Sequence, residues 1–314
     1  RLTQSWFLPQ NIKNLEPRIR EIAREFVDLM LAKGDTCDFA RDVAFLYPLR
    51  VIMEILGVPQ SDEPKMLKLT QELFGAADPE MNRSGKADQD VEAGVGAISE
   101  TVAEFIEYFN AITEDRRANQ RDDVSSVIAN GQINGQPLDH FAAMSYYIIA
   151  ATAGHDTTSH TSAAAFWALC EAPDQFAKLK NDMSLVDSYV EESIRWTTAV
   201  KHFMRTATDD AEVAGQKIAK GDWLMLCYQS GNRDETHFDE PFKFKVDRSP
   251  NKHVAFGYGA HVCLGQHLAR MEMRILWEEL LPKLKSIELA GTPKRMESAF
   301  VCGPKSVPVR FTLN

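Results

Sequence analysis

From Asp139 to Leu169 the chain carries no proline, and no other stretch limits the possible folds as strongly. A helix of some 30 residues there would run roughly 45 Å. Between Tyr146 and Ala153 it is apolar nearly all round, so it is expected to pass through the interior rather than over it. In its middle stands Ala153-Gly154-His155-Asp156-Thr157-Thr158, a polar cluster in an otherwise apolar rod. A threonine hydroxyl bonded to its own helix backbone can bend the ladder, and Gly154 leaves room for a ligand or a neighbouring plane. His155 is an unusual neighbour there, with an outward-facing ring as the simplest reading. On its own the cluster reads as a polar patch at a helix kink.

The rest of the first two thirds is also helical in pattern. Ile19, Ile22, Phe26 and Leu29 recur at steps of three and four, on one face of a helix that stops at Gly34. Val43 to Leu56 predicts a second helix, closed by Gly57 with Pro59 just beyond. A third runs from Glu92 to near Arg117, with Ile98, Val102, Phe105, Ile106 and Phe109 as its apolar stripe. Asn130-Gly131 and Asn134-Gly135 mark a tight turn or small hairpin. After a shorter helix from Leu185 to Trp196 the character changes, and 213–218 and 223–226 read as short strands. A loop rich in Asp, Pro and Gly then leads to Cys263, followed by a helix from Leu264 to Leu281 and a β-like tail. No linker interrupts this order, so residues 1–314 are expected to form one domain, mainly α with a small β part.

Composition excludes several classes of function. A net charge of -10 without a Lys/Arg-rich stretch argues against nucleic acid as a partner. Five cysteines, an odd number at wide spacings with no C-x-x-C, argue against a disulfide framework or a zinc site and suit a reducing cytoplasm. No run of about 18 apolar residues occurs, so no membrane contact is expected.

Chemistry concentrates in Phe256-Gly257-Tyr258-Gly259-Ala260-His261-Val262-Cys263-Leu264-Gly265. Its glycines allow a backbone path that side chains would block, so a flat or bulky group can approach. Cys263 falls at the start of a helix, where free N–H groups and the helix dipole favour an anion. Such a position is expected to lower the thiol pKa and make the sulfur a metal ligand or a nucleophile. A phosphate cradle fits less well, because position 262 is Val where G-x-G-x-x-G requires Gly.

This stretch resembles the haem-binding signature of the cytochromes P-450: Phe, Gly, any, Gly, any, His or Arg, any, Cys, any, Gly. Every specified position is present. The resemblance implies haem b as cofactor, bound by Cys263 as axial iron ligand, with Phe256, Gly257 and Gly265 around it and His261 on a propionate. Arg205, in Lys201-His202-Phe203-Met204-Arg205, matches the arginine on the other propionate. Glu192 and Arg195, three apart on a helix, are similar to the family's E-x-x-R pair, and Arg248 matches the arginine that locks with it. The polar cluster resembles the family's oxygen-activation motif, which makes Asp156 and Thr157 a proton-delivery pair. By the same mapping the substrate pocket includes Ile149, Thr152, Ala153, Val200, Lys201, Phe300 and Val301.

The resemblance further implies a monooxygenase fed by a ferredoxin and an NAD(P)H-dependent reductase. Lys252, Arg270 and Arg274 are candidates for the donor's docking face, or else a solvated helix face. The details point to a monoterpene alcohol such as linalool, hydroxylated at an allylic methyl. Another terpenoid, a fatty acid or a steroid is the alternative substrate. A peroxygenase, a haem-thiolate gas sensor and a haem-free remnant are the alternative functions. The family begins about 90 residues earlier than this chain, so a fragment is expected, lacking a further propionate-binding arginine that falls next to Arg1.

Overall fold

The computed structural model describes residues 2–85 and 91–314, and Arg1 lies outside them. The chain begins with helix α1 (Pro9–Ile12) and the amphipathic α2 (Glu16–Ala32), then strand β1 (Thr36–Asp38). A π-helical turn, Ala40–Ala44, leads into α3 (Leu46–Leu56), and α4 (Glu63–Phe74), α5 (Val91–Ala118) and α6 (Val124–Ala129) follow. A hairpin of β2 (Gln132–Ile133) and β3 (Gln136–Pro137) precedes α7 (His140–Ala153), α8 (Asp156–Glu171), α9 (Pro173–Asn181) and α10 (Val186–Thr197). Next come β4 (His202–Thr206), β5 (Ala211–Val213), β6 (Gln216–Ile218), β7 (Trp223–Cys227) and α11 (Tyr228–Gly231). After a long loop, α12 (Gln266–Leu280) is followed by β8 (Leu284–Leu289), β9 (Lys294–Arg295), β10 (Pro304–Ser306) and β11 (Pro308–Leu313).

Local chemistry explains most boundaries. Gly57 closes α3 at φ 66°, a left-handed turn that favours glycine. Asp123 and Asp139 start α6 and α7 by accepting the N–H groups of Ser126 and Ala142. Asn134 and Gly135 both take positive φ, which gives the β2–β3 hairpin its tight turn. On α2 the buried face is Ile19, Ile22, Phe26 and Met30, whereas Leu29, counted on that face from sequence, is 51% exposed. The actual face drifts by one residue because 3.6 residues make a turn.

The largest departure from expectation lies in the proline-free stretch. One continuous helix is predicted there; two are found, with Gly154 and His155 between them. The Thr157 hydroxyl donates to the Ala153 carbonyl at 2.8 Å, in place of the backbone bond a straight helix would make. His155 does not face outward. It is fully buried, with Nε2 2.7 Å from the Phe45 carbonyl and Nδ1 2.9 Å from the Thr70 hydroxyl. Gly154 packs closely, since a Cβ there would lie 2.9 Å from Ile52 Cδ1 on α3.

The core gathers around α8 and α12. Phe39, Phe166 of α8 and Trp277 of α12 stack with nearly parallel rings, and Tyr189 of α10 meets Trp277 at 5.3 Å. Helix α2 packs along α12, and the π-helical turn packs along α8. The strands stay peripheral: β1–β11–β8 form one antiparallel sheet, with β4–β7 and β9–β10 as separate pairs. Among the described residues no helix is long and apolar enough to cross a membrane.

Candidate active site

Cys263 sits in the turn that leads into α12, with Gly265 as the capping residue. Its N–H donates to the Phe256 carbonyl at 2.8 Å, so the loop closes on itself from one end of the motif to the other. Gly257 and Gly259 hold φ near 70°, which any other residue would reach only with strain. Burial pushes the Cys263 thiol up from its ordinary range; the Gly265 and Gln266 N–H groups and the Arg270 charge pull it down without overcoming burial. The lowering expected from the helix start is therefore present but outweighed in the protein alone. A cation bound at the sulfur would reverse that balance.

The loop before the cysteine is fastened by a buried charge cluster. Arg195 donates to both carboxylate oxygens of Glu192 at 2.7 Å, and Arg248 Nε reaches Glu192 Oε2 at 2.9 Å. Arg195 also donates to the carbonyls of Asn232, Pro241 and Lys243, and Arg248 to those of Asp239, Glu240 and Lys243. All three side chains are buried, so the bonds form where water cannot compete.

At the helix break, Asp156 is 2% exposed, and its Oδ2 has no hydrogen-bond partner among the described residues. Its Oδ1 lies 3.6 Å from His155 Nδ1. His160, one turn along α8, is fully buried and donates from Nδ1 to the Pro304 carbonyl at 3.1 Å, while its Nε2 is unpartnered among the described residues. Burial lowers the His160 pKa to about 4 despite the opposing pull of Asp156. Sequence reading missed His160 and Thr70; the repeat of His at i and i+5 around Asp156 was the available signal.

Of the residues mapped to a substrate pocket, Ile149, Ala153 and Phe300 are exposed apolar groups, while Thr152 and Val301 are buried within the protein. Val200 bridges to Val301, and the Lys201 N–H donates to the Phe300 carbonyl, which brings the β4 end and the tail together. The Lys201 side chain turns back to the Thr197 carbonyl, and burial lowers its pKa. Of the basic residues considered for donor docking, Arg270 is paired with Glu191 and Arg274 with Glu16 and Glu278. Their charge is largely neutralised within the fold.

A comparison of the sequence with family patterns decides the matter: the pattern "Cytochrome P450" matches residues 1–311. The chain is a cytochrome P-450 monooxygenase. Cytochrome P-450-terp of a Pseudomonas species is 49% identical to it over 311 residues, 99% of this chain and 73% of the relative. A solved cytochrome P-450 from Novosphingobium aromaticivorans superposes with a TM-score of 0.88 at 50% identity, covering 100% of this chain and 72% of that one. A Mycobacterium marinum cytochrome P-450 in complex with pseudoionone superposes at 0.92 with 32% identity, covering 99% and 73%.

Haem is the cofactor typical of the cytochromes P-450, and the residues present suit it. Cys263 offers a soft sulfur donor for iron. Phe203, Met204, Met225 and Leu226 on the β4–β7 pair leave an apolar surface exposed, as do Val262 and Leu264 beside the cysteine. Space is open beside Gly259 and Gly265. Arg205 bonds only to its neighbour's carbonyl, at 2.9 Å, and the His261 ring has no hydrogen bond among the described residues, so both retain donors for carboxylates. Soft ligand, apolar flanks and free N–H donors are what an iron porphyrin with two propionates requires.

Proposed function

We propose that this cytochrome P-450 holds haem b through the Cys263 thiolate and hydroxylates a monoterpene alcohol such as linalool at an allylic methyl. The closed Phe256–Cys263 loop carries the reading, because it presents one sulfur, backed by N–H groups, at the start of a helix. In this assignment Phe256, Gly257 and Gly265 flank the porphyrin, and His261 and Arg205 take its propionates. When bound, haem supplies reductive activation of dioxygen and insertion of one oxygen atom into a C–H bond. Asp156 and Thr157 pass protons into the site: the Asp156 Oδ2, unpartnered among the described residues, and the Thr157 hydroxyl are the two relay groups. Ile149, Ala153 and Phe300 supply the apolar lining, with Thr152, Val200, Lys201 and Val301 behind them. A small terpenoid fits such a lining, and the likeness to cytochrome P-450-terp and to the Mycobacterium marinum enzyme in complex with pseudoionone supports that class. Electrons come from a ferredoxin and its NAD(P)H-dependent reductase in the cytoplasm.

The test is a carbon monoxide spectrum of the reduced protein. A strongly red-shifted Soret band is expected from thiolate ligation, and Cys263→His should abolish that shift. An unshifted band in the unsubstituted protein would remove Cys263 from the iron. A binding titration with linalool, read from the haem spectrum, then tests the substrate class.

A further inference from the structure

Beside the cysteine loop lies a network that the site as described does not use. The Glu191 carboxylate of α10 receives Arg270 of α12 in a forked contact, Nε at 2.5 Å and Nη2 at 3.1 Å. His253 Nε2 reaches the same carboxylate at 3.1 Å. The His253 Nδ1 accepts the Ala255 N–H at 3.3 Å, so the ring carries its proton on Nε2 and donates it to Glu191. Burial acts to raise the Glu191 carboxyl, but the His253 and Arg270 bonds bring it down to about 2, so it stays ionised.

This clamp fixes where the guanidinium lies. Arg270 Cζ stands 4.6 Å from the centre of the Phe256 ring, and the His253 ring flanks the same phenyl at 5.8 Å. A cation over an aromatic face is attracted by the ring's negative quadrupole. Phe256 is also the residue whose carbonyl receives the Cys263 N–H. A second bond, from Nη1 to Gln266 Oε1 at 3.1 Å, holds the guanidinium from α12 itself.

We propose that Glu191 and Arg270 tune the reduction potential of the haem iron by fixing one positive and one negative charge beside Phe256 and the Cys263 loop. Both are positioning residues, since neither touches the reacting atoms. The inference rests on the haem-thiolate reading above. Reduction adds an electron to the iron–sulfur unit, so a nearby cation favours the reduced state and a nearby anion the oxidised one. The two partners therefore act with opposite sign.

The experiment is a spectroelectrochemical titration of the full-length holoenzyme and three variants. Arg270→Met is expected to shift the midpoint potential down, and Glu191→Gln up, with Gln266 still holding the guanidinium. Arg270→Lys keeps the charge but loses the planar fork and is expected to fall between wild type and Arg270→Met. A merely structural link between α10 and α12 would shift both single-charge variants in the same direction or not at all, and either result overturns the proposal. If Arg270→Met fails to fold, the sign given by Glu191→Gln decides. The carbon monoxide band recorded on the unsubstituted protein separates the two readings: its failure to shift removes the haem-thiolate assignment, whereas a normal band with unmoved potentials removes only the tuning role.

Discussion

Thr157 and Asp156 are neighbours in sequence but differ in how far their polar atoms are satisfied. The Thr157 hydroxyl is committed to the Ala153 carbonyl, whereas Asp156 Oδ2 is buried and free. Delivery of a proton through this pair requires the hydroxyl to exchange partners, which alanine cannot do. Thr157→Ala is therefore expected to leave electron uptake running while product formed per NAD(P)H consumed falls roughly tenfold or more. Measuring peroxide and product against cofactor oxidation checks it. His160 gives a second prediction at this scale. Its folded pKa, about 4, lies below the 6.5 of an ordinary histidine, so the unfolded chain binds the extra proton first. Its contribution is intact above pH 6.5 and is lost as pH falls toward 4, by up to about 3 kcal/mol. Denaturant unfolding between pH 7 and 4.5 should show this slope, and His160→Gln should flatten it. Sequence reading singled out the pair but not the burial of His155 and His160, because burial of a polar ring depends on partners that lie far away in the chain: Phe45, Thr70 and Pro304.

Among the elements, helices that periodicity and end signals agree upon came out close to expectation. The α3 stop at Gly57, the α5 span and the β2–β3 turn are examples, each set by local chemistry. The proline-free rod is the instructive failure. Absence of proline permits a helix without requiring continuity, and side-chain bonds at 155 and 157 redirect the backbone from within. The tight fit of Gly154 against Ile52 gives a test of how closely α3 supports that break. Gly154→Ala, at a backbone conformation alanine can adopt, gains about 0.4–1 kcal/mol by restricting the unfolded chain, but it forces a methyl into a close contact, which typically costs about 1–3 kcal/mol. A net loss of stability is expected in chemical denaturation, partly recovered by Ile52→Val, which removes the nearest atom. Short helices such as α4 and α9 escaped the sequence reading because tertiary contacts, not propensity, stabilise them.

For the molecule as a whole, the Glu192–Arg195–Arg248 cluster joins α10 to the loop that precedes Cys263. It was legible as a spacing of three, and its partner arginine was legible by resemblance; its complete burial was not, since nothing local marks a surface pair from a core one. Removing one member leaves an uncompensated buried charge, so Arg248→Met is expected to cost about 3–5 kcal/mol. Loss of the red-shifted carbonyl band should accompany unfolding of the loop, and a circular dichroism melt with a parallel haem spectrum would detect both. Glu192→Gln should act in the same direction.

The two arginines of that cluster grip the loop at carbonyl oxygens: Asn232, Asp239, Glu240, Pro241 and Lys243 are all held by their main chain. A carbonyl is the same whichever residue carries it. The segment can therefore exchange most of its side chains over generations and still present the cysteine in one place, while Arg195 and Arg248 have no such freedom. The outer surface of that loop is open to revision; the two cations beneath it are not.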